Sequence, residues 1–299
     1  MKSRITLFSI TALLTFSLFA IGCEKQGKGA RTGELKVKDG SHIVYDDLGS
    51  GAPTLVFIHC WSCNRHYWKD PVSEFSKDHR LVLIDLPGHG ESKAGERPPI
   101  TVNAMAQDVA AVMDHLDLKD AILIGSSMGG PIALELARMR PQRVRGIVGV
   151  DNLHNVEIQY PKAMFEKAAS QMEVDYAKAV REFIPGMFAP KADPKVVAWT
   201  ADQAATSCEP RVCIPLFRNF PTLELKKMMK EAKIPIRNIN ALPYNTDSPK
   251  TNMEVNRKHA DFDAVEIEDV GHFIMLEKPQ EFSANLRKQI RAVLEASKK

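Results

Sequence analysis

The sequence predicts an α/β fold built on a doubly wound, mostly parallel sheet. Short apolar runs recur along the chain, they are continuous rather than alternating, and stretches of helical spacing separate most of them. Continuous runs fit strands covered on both faces, whereas a strand with one wet face alternates. Strand, helix, strand, helix is the order of a parallel sheet with crossover helices.

The elements follow in order. From Glu34, ELKVKDGSHIVYDDLG reads as a hairpin turning at Asp39-Gly40, a pair that favours positive φ. Buried-looking strands follow at 54–59, 80–86, 121–126, 144–151, 235–242 and 264–270. In the stretch after Thr101, Val102, Met105, Ala106, Val109, Val112, Met113 and Leu116 share one helical stripe, and Thr101 is placed to cap it. PIALELARMR follows the strand at 121–126, and EFSANLRKQIRAVLEAS closes the chain. About 80 residues between Asp151 and Ile234 break the rhythm and read mostly as helix and loop. Residues 152–233 are therefore expected to form a helical insertion over the carboxyl edge of the sheet, where such sheets bind ligands. Residues 34–151 and 234–299 then form the core.

Composition narrows the function. The 299 residues are 44% hydrophobic, and the net charge of +3 includes Lys2 and Arg4. Beyond residue 22 the chain has 38 basic and 37 acidic side chains, which gives no electrostatic case for nucleic acid. Residues 1–22 begin with a short basic stretch and continue as a largely apolar run, Ile5 to Ile21, which reads as a targeting segment. Ala20-Ile21-Gly22 leads into Cys23, which resembles a bacterial lipoprotein signal, with residues 23–33 as a tether. An ordinary cleaved signal and a short uncleaved anchor are the alternatives. All three place the globular part outside the cytoplasm, and the lipoprotein reading gives it a membrane attachment. Export permits disulfides among Cys60, Cys63, Cys208 and Cys213. CWSC (60–63) also matches a C-x-x-C redox motif, but it follows TLVFIH in a chain of different organisation. Neither H-E-x-x-H nor G-x-x-x-x-G-K occurs, so no metal and no cofactor is expected.

Gly125-Ser126-Ser127-Met128-Gly129 is G-x-S-x-G with a strand before it and a helix after it. A sharp strand-to-helix turn pushes its central side chain outward and needs small residues two positions away on either side, which selects Ser127 over Ser126. A serine at its ordinary pKa needs a base. His272, just after the last strand in EDVGHFIMLEKP, can reach back across the sheet edge, with Gly271 freeing its backbone. His42, His79 and His115 lie in polar stretches, and His154 and His259 lack a comparable setting.

With FIHCWSCNRHYW after the third strand and DLPGHGES after the fourth, these motifs make the chain similar to the α/β-hydrolase superfamily with a cap insertion, from Gly33 onward. The resemblance implies an oxyanion hole from the backbone N–H groups of Met128 and Trp61. It departs at Cys60, where His-Gly is usual and His59-Cys60 stands here. The family's acid generally follows the seventh strand, where Tyr244 falls in this chain, with Asp247 three residues on. Asp151, ending the sixth strand, is a position some members use. A strand-end carboxylate is held more firmly than one in a Pro-bearing loop, which favours Asp151 and leaves Asp247 as the alternative. The implied activity is a serine hydrolase cleaving a small carboxylic ester or related acyl substrate. Haloalkane dehalogenases and epoxide hydrolases of this fold attack with Asp and are disfavoured by Ser127. Cofactor-free perhydrolases, carbon–carbon bond hydrolases and a non-catalytic ligand-binding protein stay open, and Trp199, Phe217 and Phe220 read equally as core or pocket.

Overall fold

A computed structural model of the chain describes residues 31–37, 39–96, 100–242 and 250–298. The targeting segment, Cys23, Tyr244 and Asp247 lie outside the described residues. The strands are β1 Arg31–Lys36, β2 His42–Gly49, β3 Leu55–Ile58, β4 Arg80–Ile84, β5 Ala121–Ser126, β6 Val144–Val150, β7 Ile236–Ala241 and β8 Phe262–Ile267. They form one sheet in the order β1-β2-β4-β3-β5-β6-β7-β8. β2 is antiparallel to β1 and to β4, and every later pairing is parallel.

Every residue of β3, β5 and β7 is buried, as the continuous apolar runs of β3 and β5 require of strands covered on both faces. Helices Val102–His115, Gly129–Met139 and Leu225–Ala232 pack together as one group, while Pro279–Ala296 lies over β6 and β7 beside Lys69–Phe75. Thr101 caps the first of these, its Oγ1 accepting from Ala104 N at 3.1 Å. The chain leaves β3 toward β4 on one side and returns to β5 on the other. The strand order therefore reverses at β3/β5, and the loops after these two strands face each other across the crevice where ligands bind in such sheets.

Three boundaries differ from the sequence reading. β1 begins at Arg31, inside the stretch taken as tether, because Arg31, Thr32 and Gly33 pair with Asp47, Asp46 and Tyr45. The Tyr45 ring packs over Gly33, where a Cβ would lie 2.5 Å from it and push the ring aside. The last strand starts at Phe262, two residues before the apolar run suggested. Helix Leu225–Ala232, counted with the insertion, packs on helix Gly129–Met139 and buries Met229 and Ala232 there. The remaining insertion helices, Lys162–Val174, Tyr176–Phe183, Pro194–Thr206 and Pro210–Asn219, pack on one another. Among the described residues, no helix is long and apolar enough to cross a membrane.

Candidate active site

Between β5 and helix Gly129–Met139 the chain reverses so tightly that Ser127 adopts φ +50°. Left-handed backbone is strained for any side chain and persists only where the surroundings over-determine it. Here they do. Ser127 N–H donates to Val150 O (2.9 Å), and its carbonyl accepts from Gly130 N–H (2.9 Å). A Cβ on Gly125 would lie 2.4 Å from Gly129 O, and one on Gly129 would lie 2.4 Å from Ile58 O, so both positions must be glycine. Asn152 Nδ2 donates to Gly125 O at 2.7 Å and ties the bend to the end of β6. Ser126 is buried, and its Oγ makes no hydrogen bond among the described residues. Ser127 instead lines a cavity of about 230 Å³ together with Trp61, Met128 and His272.

His272 is held from several directions. Its Nδ1 lies 2.5 Å from Asp151 Oδ2. Its N–H donates to Met187 O at 2.8 Å, while Glu277 accepts from Gly271 N (3.0 Å) and Ala189 N (3.2 Å). A Cβ on Gly271 would come within 2.4 Å of Met187 O, so this glycine permits a close backbone approach. Its φ is not left-handed, which corrects the reading that it supplies backbone freedom.

Asp151 itself has φ +47° at the end of β6 and is nearly inaccessible to water. Oδ1 accepts from Ala241 N at 2.8 Å, and His154 Nε2 lies a longer 3.4 Å away. Burial alone would raise its pKa. The hydrogen bonding and charge of His154 and His272 outweigh burial and hold the carboxyl well below the usual carboxylate range. Behind His154 runs a directed chain: Asn240 Nδ2 donates to Thr251 Oγ1 (2.8 Å), which lies 3.2 Å from His154 Nδ1. With Nδ1 accepting from the hydroxyl, Nε2 carries the proton and faces Asp151.

Trp61 sits in the turn after β3, beside a disulfide joining Cys60 to Cys63; a second disulfide joins Cys208 to Cys213. Both Cys60 and Cys63 are buried, unlike a redox-active thiol, which needs access. His89 Nε2 lies 3.2 Å from Cys213 Sγ, and with Cys208 these atoms are the cluster of metal-ligand type among the described residues. The two sulfurs are bonded to each other and so are not free to take an ion.

The structure thus brings together Ser127, His272, Asp151, Trp61 and Met128. Phe217 and Phe220 line the cavity, whereas Trp199 packs against Tyr67, with ring centroids 5.3 Å apart. His42 and His259 face Glu34 and Glu157, away from the cavity. Sequence reasoning missed His154, Asn152, Asn240 and Glu277. The three-residue spacing of Asp151 and His154 within DNLH was a usable signal for the first. Nothing local marks the other three, each of which also bonds a distant segment: Asn152 to Gly125, Asn240 to Asn152 and Glu277 to Ala189. A larger open groove of about 630 Å³ runs between Arg181 and Asp202 but holds none of the Ser, His or Asp residues above.

Comparison with known proteins bears on this geometry. Residues 53–245 match the family described as alpha/beta hydrolase fold. The dihydrolipoyllysine-residue acetyltransferase component of the acetoin cleaving system of Pseudomonas putida is 37% identical over 100 residues, 33% of this chain and 26% of that protein. The pimeloyl-[acyl-carrier protein] methyl ester esterase of Edwardsiella ictaluri (strain 93-146) is 30% identical over 149 residues, 48% of this chain and 55% of that protein. The chain thus spans about a quarter to about half of the length of these curated relatives. Among solved structures, a thermophilic esterase from Thermogutta terrifontis aligns with a TM-score of 0.74 at 20% identity, covering 88% of this chain and 99% of that one, which shows a shared fold. With well over half of its length matched and the sheet order as described, this chain belongs to the α/β-hydrolase fold family.

Proposed function

We propose that the protein is a serine hydrolase that cleaves small, uncharged carboxylic esters, with Ser127 as nucleophile, His272 as base and Asp151 as the acid that orients it. The observation that carries this reading is the 2.5 Å contact between His272 Nδ1 and Asp151 on a cavity that Ser127 also lines. The Nδ1–H bond to Asp151 leaves Nε2 as the ring's basic atom. Nε2 takes the Ser127 proton as Oγ attacks the ester carbonyl carbon, and the amides of Trp61 and Met128 receive the developing oxyanion. His272 then returns the proton to the leaving alkoxide, and water, activated by the same imidazole, releases the acid and restores Ser127. Ionised Asp151 stabilises the imidazolium in both steps.

The cavity speaks to substrate. Met164, Phe165, Phe183, Ile184, Leu216 and Phe217 line it, so a charged group entering would lose its hydration without a partner. At about 230 Å³ it lies below the roughly 300–1,000 Å³ of sites for drug-sized ligands, which suits a short apolar acyl or alcohol part. Similarity to methyl ester esterases supports ester chemistry. The test is reaction with a fluorophosphonate probe and turnover of a p-nitrophenyl ester panel. Both should vanish in Ser127→Ala, with short uncharged acyl groups turned over best. Tight binding of a small ligand with no labelling would instead indicate a receptor on this fold, and oxidation by peracid formation as the dominant activity a perhydrolase.

We also propose that the segment ending at Cys23 exports the protein and that Cys23 carries lipid, with the insertion 152–233 acting as the cap. The two local disulfides support an oxidising compartment. Detergent partitioning of the full chain should be lost in Cys23→Ser; partitioning that survives the substitution points to an uncleaved anchor.

A further inference from the structure

The turn that presents Trp61 is strained. Cys60 to Cys63 close it with a backbone hydrogen bond, Cys63 N to Cys60 O at 3.3 Å, and Ser62 at its third position has φ +57°. That position favours glycine or asparagine, so a serine there is held by its surroundings. Four restraints hold it. The Cys60–Cys63 disulfide joins the two ends of the turn. Ser62 Oγ lies 2.6 Å from Tyr176 Oη and 2.7 Å from Ala204 O, both in the insertion. The Trp61 indole Nε1 donates to Cys213 O at 2.8 Å, also in the insertion and itself inside the second disulfide. On the core side, His59 Nδ1 donates to Cys60 O at 2.8 Å while its Nε2 accepts from Leu86 N at 3.0 Å.

We infer that the Cys60–Cys63 disulfide is a positioning device: it fixes the direction of the Trp61 amide toward the oxyanion, replacing the glycine that the family places after His59. The strain lies at Ser62, and a glycine at Cys60 would leave that strained turn without a covalent tie. This chain carries a side chain there and uses it to lock the turn covalently. The geometry explains why CWSC stands at the mouth of the site without being a redox centre. Both sulfurs are buried, Cys60 is on the cavity wall, and the residue they bracket is the one whose amide matters. The inference rests on the serine hydrolase reading and deepens it.

The test is the Cys60→Ser/Cys63→Ser double variant of the full chain. We would measure kcat and KM on a short p-nitrophenyl ester, and Ki for a trifluoromethyl ketone whose hemiketal oxygen sits where the oxyanion forms. Removing one oxyanion donor outright costs about 100- to 1,000-fold in kcat, so loosening one is expected to cost about 10- to 100-fold. KM should stay within about threefold, because only transition-state binding is affected, and the ketone Ki should rise by about the factor by which kcat falls. A merely structural disulfide would lower the melting temperature without this split. A kcat within about twofold of the unaltered chain overturns the inference. Should the double variant not fold, the folded unaltered chain is reduced with tris(2-carboxyethyl)phosphine and opening of Cys60–Cys63 is confirmed by thiol mapping, with Cys208→Ser/Cys213→Ser as control for the second disulfide. A fall of about 10- to 100-fold in kcat that recovers on reoxidation is expected, and an unchanged kcat again overturns it. An unaltered chain that neither hydrolyses esters nor labels at Ser127 would fail the underlying reading instead, which separates the two outcomes.

Discussion

Asp151 divides its two oxygens between two sets of partners: Oδ2 faces His272, and Oδ1 takes the Ala241 amide with His154 behind it. Replacement by asparagine keeps the shape but offers His272 an amide instead of a charge, leaving the imidazole free to adopt the wrong tautomer. Asp151→Asn is therefore expected to lower kcat by about 10⁴, while Asp247→Asn leaves it near normal. The reverse pattern of ester turnover would transfer the role to Asp247. His154→Phe removes one neighbour of a buried carboxylate, a change typically worth about 1–3 kcal/mol, so a fall of about tenfold in kcat is expected. Turnover equal to the unaltered chain would mean that the 3.4 Å contact contributes nothing. The bend at Ser127 was legible because strand, small residues and helix are all local. The spacing of His154 from Asp151 was legible too, but the hydroxyl that orients its ring, 97 residues away, was not.

Loops and strand ends show the same division between near and far. The elbow between β5 and its helix announces itself by glycine spacing, yet its bracing comes from elsewhere. Asn238 and Asn240, buried at alternate positions of β7, face Asn152, whose side chain holds Gly125 O. Read alone, NINA is a strand with misplaced polar residues; read with Asn152, it is the polar floor of the site. Gly271 was legible as necessary but not for the right reason. Its backbone passes so close to Met187 and Ala189 that a methyl group has no room. Gly271→Ala should thus push the His272 loop off the insertion. Overpacking against backbone costs about 1–3 kcal/mol, and a displacement of about 1 Å at a catalytic group costs about 100-fold in rate. A kcat close to normal with only a lowered melting temperature would show that the loop relaxes without moving the imidazole.

Across the whole molecule the mostly parallel sheet was legible because fully covered strands write continuous apolar runs. The insertion's packing was not, because its helices choose partners by shape. The same burial sets an acid limit on stability. His59 is held neutral by burial, with a pKa lowered to about 4, opposed by its bond to Cys60 O and reinforced by Arg65. Burial, with His59 5.1 Å away ring to ring, lowers His89 to about 3. Unfolded, both rings would take a proton near pH 6.5. Their stabilising contribution is therefore complete above about pH 6.5 and is lost as pH falls toward 4 for His59 and 3 for His89, because the unfolded chain binds protons that the folded one refuses. Each ring costs about 1.4 kcal/mol per pH unit within its window, against a total of about 5–15 kcal/mol for a typical domain. Asp151, with its depressed pKa, adds its own loss only further down, below the unfolded carboxylate value. Thermal melts from pH 7 to pH 5 should show a steep fall in melting temperature while every carboxylate of ordinary pKa stays ionised, and His89→Gln should remove part of that slope. A melting temperature flat over this range would mean that the two rings are hydrated or already charged in the folded protein. A charged His59 would have to give up the bond from Leu86 N, which needs an unprotonated Nε2.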